Sequence, residues 1–314
     1  MATLTQLEYL VAVDRYRHFG KASKACHVSQ PTLSMQLQKL EDEYGMTFFD
    51  RTKQPILPTP EGVAVIEQAR AVLREAGKLD HLCKNRKLEP SGEFHLALIP
   101  TIAPYLLPYF LGPFAKKNPK VELFIEEMTT ETILDALEHD RIDAGILATP
   151  LHQQNLEERP LYYEPFQAYI SDKHELAKSS LIHEEDLDAK DIWLLAEGHC
   201  LRTQVVRMCS LKGKPGIFPN VRFESGSLEA VTRLVEQGHG YTLLPWLAGL
   251  GVKGGKGAVL RSFAKPVPSR EVSLVSRRSQ YKELILDALA KEIQASLPQG
   301  LPREKSKAIE VVRL

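Results

Sequence analysis

The chain has 314 residues, 43% hydrophobic and 25% charged, a composition that builds buried cores and excludes a disordered, collagen-like or disulfide-scaffold protein. Forty Lys plus Arg balance forty Asp plus Glu, so a nucleic-acid partner has to be met by a local basic face and not by the molecule as a whole. Four cysteines (Cys26, Cys83, Cys200, Cys209) are too few for a disulfide framework, the apolar stretch Tyr241 to Val252 is too short for a membrane span, and the N-terminus lacks a signal-peptide pattern, so a cytoplasmic protein with reduced thiols is expected.

Apolar residues recur at helical spacing in three short segments: Leu4, Leu7, Leu10 and Val11; Ala22, Ala25 and Cys26; Leu33, Leu37 and Leu40. Between the second and third lies His27-Val28-Ser29-Gln30-Pro31-Thr32, where Ser29 suits an N-cap and Pro31 a first helical turn, whose amide has no partner anyway. This is a helix-turn-helix signal. Arg15 to Leu40 contains no acidic residue but holds Arg15, Arg17, Lys21, Lys24 and Lys39, a surface suited to phosphates. A recognition helix offers its N-terminal side chains to base edges, which nominates Gln30, Pro31, Thr32, Ser34 and Met35, with Gln38 extending the row. Phe48 to Lys53 leads into a proline-punctuated hairpin, a wing that puts Arg51 and Lys53 on the DNA backbone or in a minor groove. The blander alternative is a small helical bundle with solvated lysines.

Thr59, Pro60 and Glu61 open a helix predicted to run to about Arg86, roughly 40 Å at 1.5 Å per residue. Val65, Val72 and Leu79 fall seven apart, as do Ala69, Ala76 and Cys83, a seam that favours self-pairing over a core-facing helix. Pro90-Ser91-Gly92 marks a boundary. Beyond it, the apolar runs Phe94 to Ile99, Val121 to Ile125, Gly145 to Ala148, Ile192 to Leu195 and Tyr241 to Leu244 alternate with helix-length segments, which predicts a mostly parallel α/β sheet. About 200 residues exceed one compact sheet domain, so two lobes are expected, with crossings near Pro165 and Pro266. Val272 to Ser276 reads as a returning strand, Tyr281 to Ile293 as a final helix, and the residues after Leu297 as a loose tail.

Gly198-His199-Cys200-Leu201-Arg202 follows the buried-looking strand Trp193-Leu194-Leu195 and precedes a helical stretch from Gln204 to Leu211. A cysteine near a helix N-terminus, with Arg202 and a protonated His199 beside it, is expected to favour thiolate, which attacks peroxides to give a sulfenic acid that a second thiol can capture. Cys209 is nine residues on. Along an intact helix that is roughly 13 Å, beyond the ~7 Å Cα separation a disulfide allows, so bridging requires the segment to unwind or move. On spacing alone, two unrelated reduced cysteines are the plainer reading.

The run from Leu4 to Pro60, especially Phe19-Gly20-Lys21-Ala22-Ser23, Val28-Ser29-Gln30-Pro31-Thr32-Leu33-Ser34 and Leu40-Glu41-Asp42-Glu43-Tyr44-Gly45, resembles the winged helix-turn-helix of LysR-type regulators. The stretch Gly198 to Gln204 with Cys209 is similar to the redox segment of that family's peroxide-sensing branch, as are Leu98-Ile99-Pro100-Thr101, Tyr105-Leu106-Leu107-Pro108 and Gly240 to Pro245. The resemblance implies a winged helix-turn-helix at 1–60, a linker and dimerisation helix at 61–90, and a regulatory domain at 91–300. It further implies two Rossmann-like lobes of the periplasmic-binding-protein kind, lobe I at 91–165 with 267–300 and lobe II at 166–266, followed by a tail at 301–314. It also implies Cys200 as peroxidatic and Cys209 as resolving thiol, with Thr101, Thr130, His199, Arg202 and Thr203 around the peroxide. The family often has an aspartate where this chain has Thr203, which cannot transfer a proton as a carboxylate does.

The leading expectation is therefore a transcription regulator, not an enzyme, that senses hydrogen peroxide and needs no metal or other cofactor. Promoter DNA is its partner as a dimer or dimer of dimers, and RNA polymerase a further one. Two alternatives stand beside it. One is a regulator with a small acid between the lobes, held by Thr101, Ser225 and Ser227; the other is a thiol peroxidase whose helical N-terminus only dimerises it. His139, His152, His174 and His183 lack paired ligand spacing, and Gly249 to Gly257 breaks the phosphate-loop pattern, so neither a metal nor a nucleotide site is expected.

Overall fold

A computed structural model describes residues 1–84, 89–151, 153–188, 191–208, 223, 225–252, 257–278, 280 and 282–313. It falls into two compact units, Met1–Glu89 with His139–Arg141, and Pro90–Glu138 with Ile142–Leu314.

In the first unit α1 (Leu4–Tyr16), α2 (Phe19–Ala25) and α3 (Gln30–Tyr44) pack around Leu10, Val13, Ala22, Leu33, Leu37 and Leu40. The expected stripes thus form one core, except that Leu4 and Ala25 remain on the outside. Ser29 caps α3 by accepting the Thr32 amide at 3.2 Å, and Pro31 sits in the first turn, where it sacrifices no helical hydrogen bond. The wing is a two-strand antiparallel hairpin, β1 (Phe49–Asp50) and β2 (Leu57–Pro58). The long helix α4 (Pro60–Lys84) spans about 38 Å at 1.5 Å per residue. Thr59 opens it by accepting the Gly62 amide, and Gly62 has to be glycine because a Cβ there would lie 2.1 Å from the Phe48 carbonyl oxygen. Ile66 and Ala69 of α4 enter the core, and buried Arg70 pairs with buried Asp14 of α1. Farther along, Val72 and Leu79 lie 38% and 64% exposed, so the seam is open to solvent at these positions.

The second unit contains β3 (Gly92–Leu98), α5 (Ala103–Lys117), β4 (Val121–Glu127), α6 (Thr130–Glu138), β5 (Ala144–Thr149), β6 (Leu156–Ser171), β7 (Leu181–Ile182), α7 (Cys200–Met208), α8 (Leu228–Glu236), β8 (Tyr241–Pro245), α9 (Trp246–Gly251), β9 (Ala258–Phe263), β10 (Val267–Arg277), α10 (Glu283–Ser296) and β11 (Ile309–Val311). Two apolar cores lie along it. One gathers α5, α6 and α10 on the sheet of β3, β5 and β10; the other gathers α7, α8 and α9 on β6, β8 and β9. The sheet is mixed and not mostly parallel: β3 pairs parallel with β4 and β5, whereas β10 runs antiparallel to β5 and β6, and β6 antiparallel to β8 and β9. The long strands β6 and β10 set this pattern, because they pair antiparallel with each other and each is also antiparallel to the strand on its other side, β9 and β5 respectively.

Pro165 lies inside β6, between Tyr162 of one core and Phe166 of the other, and its amide-free edge is tolerated opposite Ser269. Three local expectations change. Ile192 to Leu195 is buried but is no strand, since only Ile192 bridges to Tyr241 and the ladder stops there. The last helix starts at Glu283, two residues after the expected Tyr281, which lies outside the described residues. The tail is not loose. Leu301 is buried, the Pro302 carbonyl accepts the Tyr163 amide, and β11 adds a parallel strand to β10 through Val267↔Ile309 to Ser269↔Val311. Its alternation of apolar Ile309 and Val311 around Glu310 is too short to stand out against a proline- and charge-rich context.

Candidate functional site

In the helix-turn-helix, Gln30, Pro31, Thr32, Met35 and Gln38 are exposed on α3, while Ser34 is half-buried. Met35 is 62% exposed although it is apolar, as a base-contacting side chain would be. Gln38 Nε2 donates to Asp42 at 2.9 Å, and Ser29 and Thr32 exchange a hydroxyl bond at 2.7 Å. The two wing cations differ. Arg51 Nη2 lies 2.6 Å from buried Glu41, and its guanidinium stacks over Phe19 at 5.2 Å, so it ties the wing to α2 and α3. Lys53 is more exposed and meets Asp50 at only 3.7 Å. Cys26 is half-buried on the apolar stripe, and burial first, then Glu8, pushes its thiol up, as suits packing and not reactivity.

In the second unit Cys200 is the first residue of α7, which begins four residues earlier than the expected helical stretch. Thr130 Oγ1, at the start of α6, lies 2.6 Å from Cys200 Sγ. Burial pushes the Cys200 thiol above its ordinary value; the Thr130 hydrogen bond and the Arg270 charge pull the other way and do not cancel it. The expectation of a thiolate favoured by Arg202 and protonated His199 therefore needs correcting on both counts. Arg202 turns its Nη1 to the Leu195 carbonyl at 2.9 Å and Nη2 to Glu197 at 3.8 Å, and burial lowers the His199 pKa, so its ring is neutral near pH 7. The His199 ring has its place because residue 226 is glycine: a Cβ there would come within 2.8 Å of Nε2.

The cation that bears on the sulfur is Arg270, only 1% exposed, which sequence reasoning did not single out. Its Nη2 lies 2.7 Å from the fully buried Glu164, Nη1 donates to Thr101 Oγ1 at 3.1 Å, and Nη2 donates to the Thr101 carbonyl at 3.0 Å. Glu164 also accepts the Leu247 amide at 2.8 Å. Because Thr101 Oγ1 accepts from Arg270, its own proton is available to a second partner. Arg270 and Glu164 are cross-strand neighbours on β10 and β6. The available signal was a carboxylate and a guanidinium each embedded in a strand-like run, 106 positions apart.

Thr130, His199, Cys200 and Thr203 line one cavity of about 650 Å³; Thr101 sits with Arg270, and Arg202 faces Leu195. Ser227 caps α8 by accepting the Ala230 amide at 3.3 Å, and Ser225 accepts the Ser227 amide at 3.1 Å, so both hydroxyls serve the helix start. Cys209 lies outside the described residues. Since the thiol is held protonated, the rate at which iodoacetamide labels Cys200 is expected to rise close to tenfold per pH unit between pH 6.5 and 8, as the thiolate fraction grows. Labelling of full-length protein read by peptide mass spectrometry checks this; a rate independent of pH in that window would mean the thiolate already predominates.

Two family models match the chain: the bacterial regulatory helix-turn-helix protein of the lysR family over residues 4–63, and the LysR substrate binding domain over residues 87–298. The chain is 36% identical over 299 residues to the hydrogen peroxide-inducible genes activator of Haemophilus influenzae, covering 94% of this chain and 98% of that one. It is 37% identical over 286 residues to the DNA-binding transcriptional dual regulator OxyR of Escherichia coli, covering 90% and 93%. Among solved structures, a full-length OxyR cysteine variant from Pseudomonas aeruginosa superposes with TM-score 0.83 at 34% identity over 95% of this chain and 99% of that chain. A hydrogen peroxide-bound OxyR cysteine variant from Corynebacterium glutamicum does so with TM-score 0.61 at 30% identity, over 94% of each.

Proposed function

The chain belongs to the LysR family of bacterial helix-turn-helix transcriptional regulators, and from that premise we propose a mechanism by which peroxide reaches the DNA readers. The protein is a DNA-binding transcriptional regulator that senses hydrogen peroxide. The observation that supports Cys200 as the sensing atom is its place at the head of α7, 2.6 Å from the Thr130 hydroxyl, on the wall of a solvent-reachable cavity.

Peroxide docks against Cys200 with the Thr130 hydroxyl, Thr203 and neutral His199 as hydrogen-bond partners, and the Thr101 proton, oriented by Arg270, as a further donor. The small thiolate fraction attacks one oxygen, the O–O bond breaks, water leaves, and Cys200 becomes a sulfenic acid. The Cys209 thiol then attacks the sulfenic sulfur, the S–O bond breaks, a second water leaves, and the disulfide forms. The α-helix from Cys200 to Met208 sets a separation of roughly 12 Å over eight rises, beyond the ~7 Å a disulfide spans, so this step unwinds α7. The rearranged lobe then alters how subunits meet. The exposed Val72 and Leu79 of α4 support pairing into a dimer, and a dimer of dimers on a pseudo-palindromic promoter follows from two readers per pair, with RNA polymerase as the downstream partner. Base contacts fall to Gln30, Pro31, Thr32, Ser34, Met35 and Gln38, and Lys53 meets phosphate while Arg51 holds the wing.

The test is footprinting of one upstream region with reduced protein, peroxide-treated protein and Cys200→Ser. The footprint is expected to change length on peroxide treatment in the parent chain alone. A Cys200→Ser footprint that still shifts with peroxide would remove Cys200 from the mechanism.

A further inference from the structure

The cavity is far larger than the signal it is credited with. At about 650 Å³ it is of the size that holds a drug-like organic molecule, whereas a water molecule occupies about 30 Å³ of liquid and hydrogen peroxide has only one more oxygen. Polar groups gather where Cys200 opens onto it. Elsewhere its wall carries Leu134 of α6 and, after β5, Leu151 and Leu156, side chains that pack against the first core and still reach the cavity. Along its rim α6 places Glu131, Asp135 and Glu138 at helical spacing, three carboxylates against one cationic side chain, Arg277.

Resting on the peroxide reading above, we propose that this cavity makes Cys200 a sensor of neutral organic hydroperoxides as well as of hydrogen peroxide. The Cys200 thiolate attacks the terminal oxygen of R–O–O–H, and the O–O bond breaks. The sulfur is oxidised by two electrons to the sulfenic acid, the hydroperoxide is reduced, and the departing alkoxide takes a proton to leave as the alcohol R–OH. The leucine wall shelters the alkyl group from water. The acidic rim disfavours hydroperoxides that carry a carboxylate, because three carboxylates against one guanidinium leave the lining with an excess of negative charge.

The experiment is to treat full-length reduced protein with hydrogen peroxide, tert-butyl hydroperoxide, cumene hydroperoxide, a carboxylated cumene hydroperoxide and its methyl ester. Rates of Cys200 oxidation are read by dimedone trapping and peptide mass spectrometry. The neutral hydroperoxides are expected to react within tenfold of hydrogen peroxide, and the carboxylated form at least tenfold more slowly than its ester. Leu134→Trp, which fills the cavity, and independently Leu151→Glu, which charges its wall, are expected to lower the ratio of the cumene to the hydrogen peroxide rate at least tenfold. Reaction with hydrogen peroxide while both neutral organics lag more than a hundredfold would overturn the inference and leave the peroxide sensor standing. Acid and ester reacting equally would overturn the role of the rim. No oxidation of Cys200 by any of them would overturn both this inference and the reading it rests on.

Discussion

Replacing Glu164 by leucine is expected to destabilise the regulatory domain by about 3–5 kcal/mol, because a guanidinium that is 1% exposed would be left without its counter-charge. Glu164 is the carboxylate that pairs with Arg270 among the described residues. Arg270 would keep Thr101, but a hydroxyl and a carbonyl do not neutralise a cation, and the Leu247 amide would lose its acceptor as well. Urea unfolding followed by the fluorescence of Trp193 and Trp246, one in each core region, measures the loss. The double replacement Glu164→Leu with Arg270→Met removes both charges and is expected to recover most of the stability. It would not recover the chemistry. Without the Arg270 charge, burial acts less opposed on Cys200, so the pH at which its labelling accelerates is expected to move upward. A double replacement as unstable as the single one would show that the strands depend on packing that leucine and methionine do not supply.

Truncation after Pro302 is the second large effect. The last residues looked dispensable in sequence, yet the Val312 carbonyl accepts Gln204 Nε2 at 3.0 Å, and Gln204 belongs to α7, one turn from Cys200, with no exposed surface. Gln204 Oε1 has no hydrogen-bond partner among the described residues, so removing the tail takes away the one acceptor recorded for its carboxamide. That costs about 1–3 kcal/mol. Ile309, 9% exposed, adds about 1.5–3 kcal/mol of apolar burial, so the truncated chain is expected to lose about 3–6 kcal/mol. The distribution of the loss is more telling than its size. Hydrogen exchange is expected to quicken in α7 and along the β10 edge while α5 and α10 keep their protection, since the lost segment hydrogen-bonds α7 through Val312 and pairs with β10 through β11. Unchanged exchange in α7 would mean Gln204 is held well enough by its own helix.

What the chain disclosed by itself was whatever is local. Leu33, Leu37 and Leu40 mark one helical face, Ser29 and Pro31 mark its start, and these are decided within a few residues. Cys200 could be singled out because its neighbours in sequence are also neighbours in space, and Thr130 entered through the resemblance, 70 positions away. Glu164 and Arg270 escaped notice because a strand register brings them together, and no periodicity within either segment encodes the partner. Ile192 to Leu195 misled for the opposite reason: its apolar run records burial, which a strand and an extended buried loop satisfy equally. The charge state of Cys200 could not be read either, since a helix start and nearby cations count for little until burial is known.

The chain passes between the two cores on β6 and on the approach to β10, and these strands are hydrogen-bonded to each other from Leu156↔Arg277 up to Pro165↔Ser269, with the buried pair one step before the crossing. The ladder slips register at Val272/Ser273 and is otherwise paired along its length, so pulling the two strands apart would uncover the Arg270 and Glu164 charges together. A chemical change at Cys200 that leaves this seam paired therefore has to be written into chain outside it.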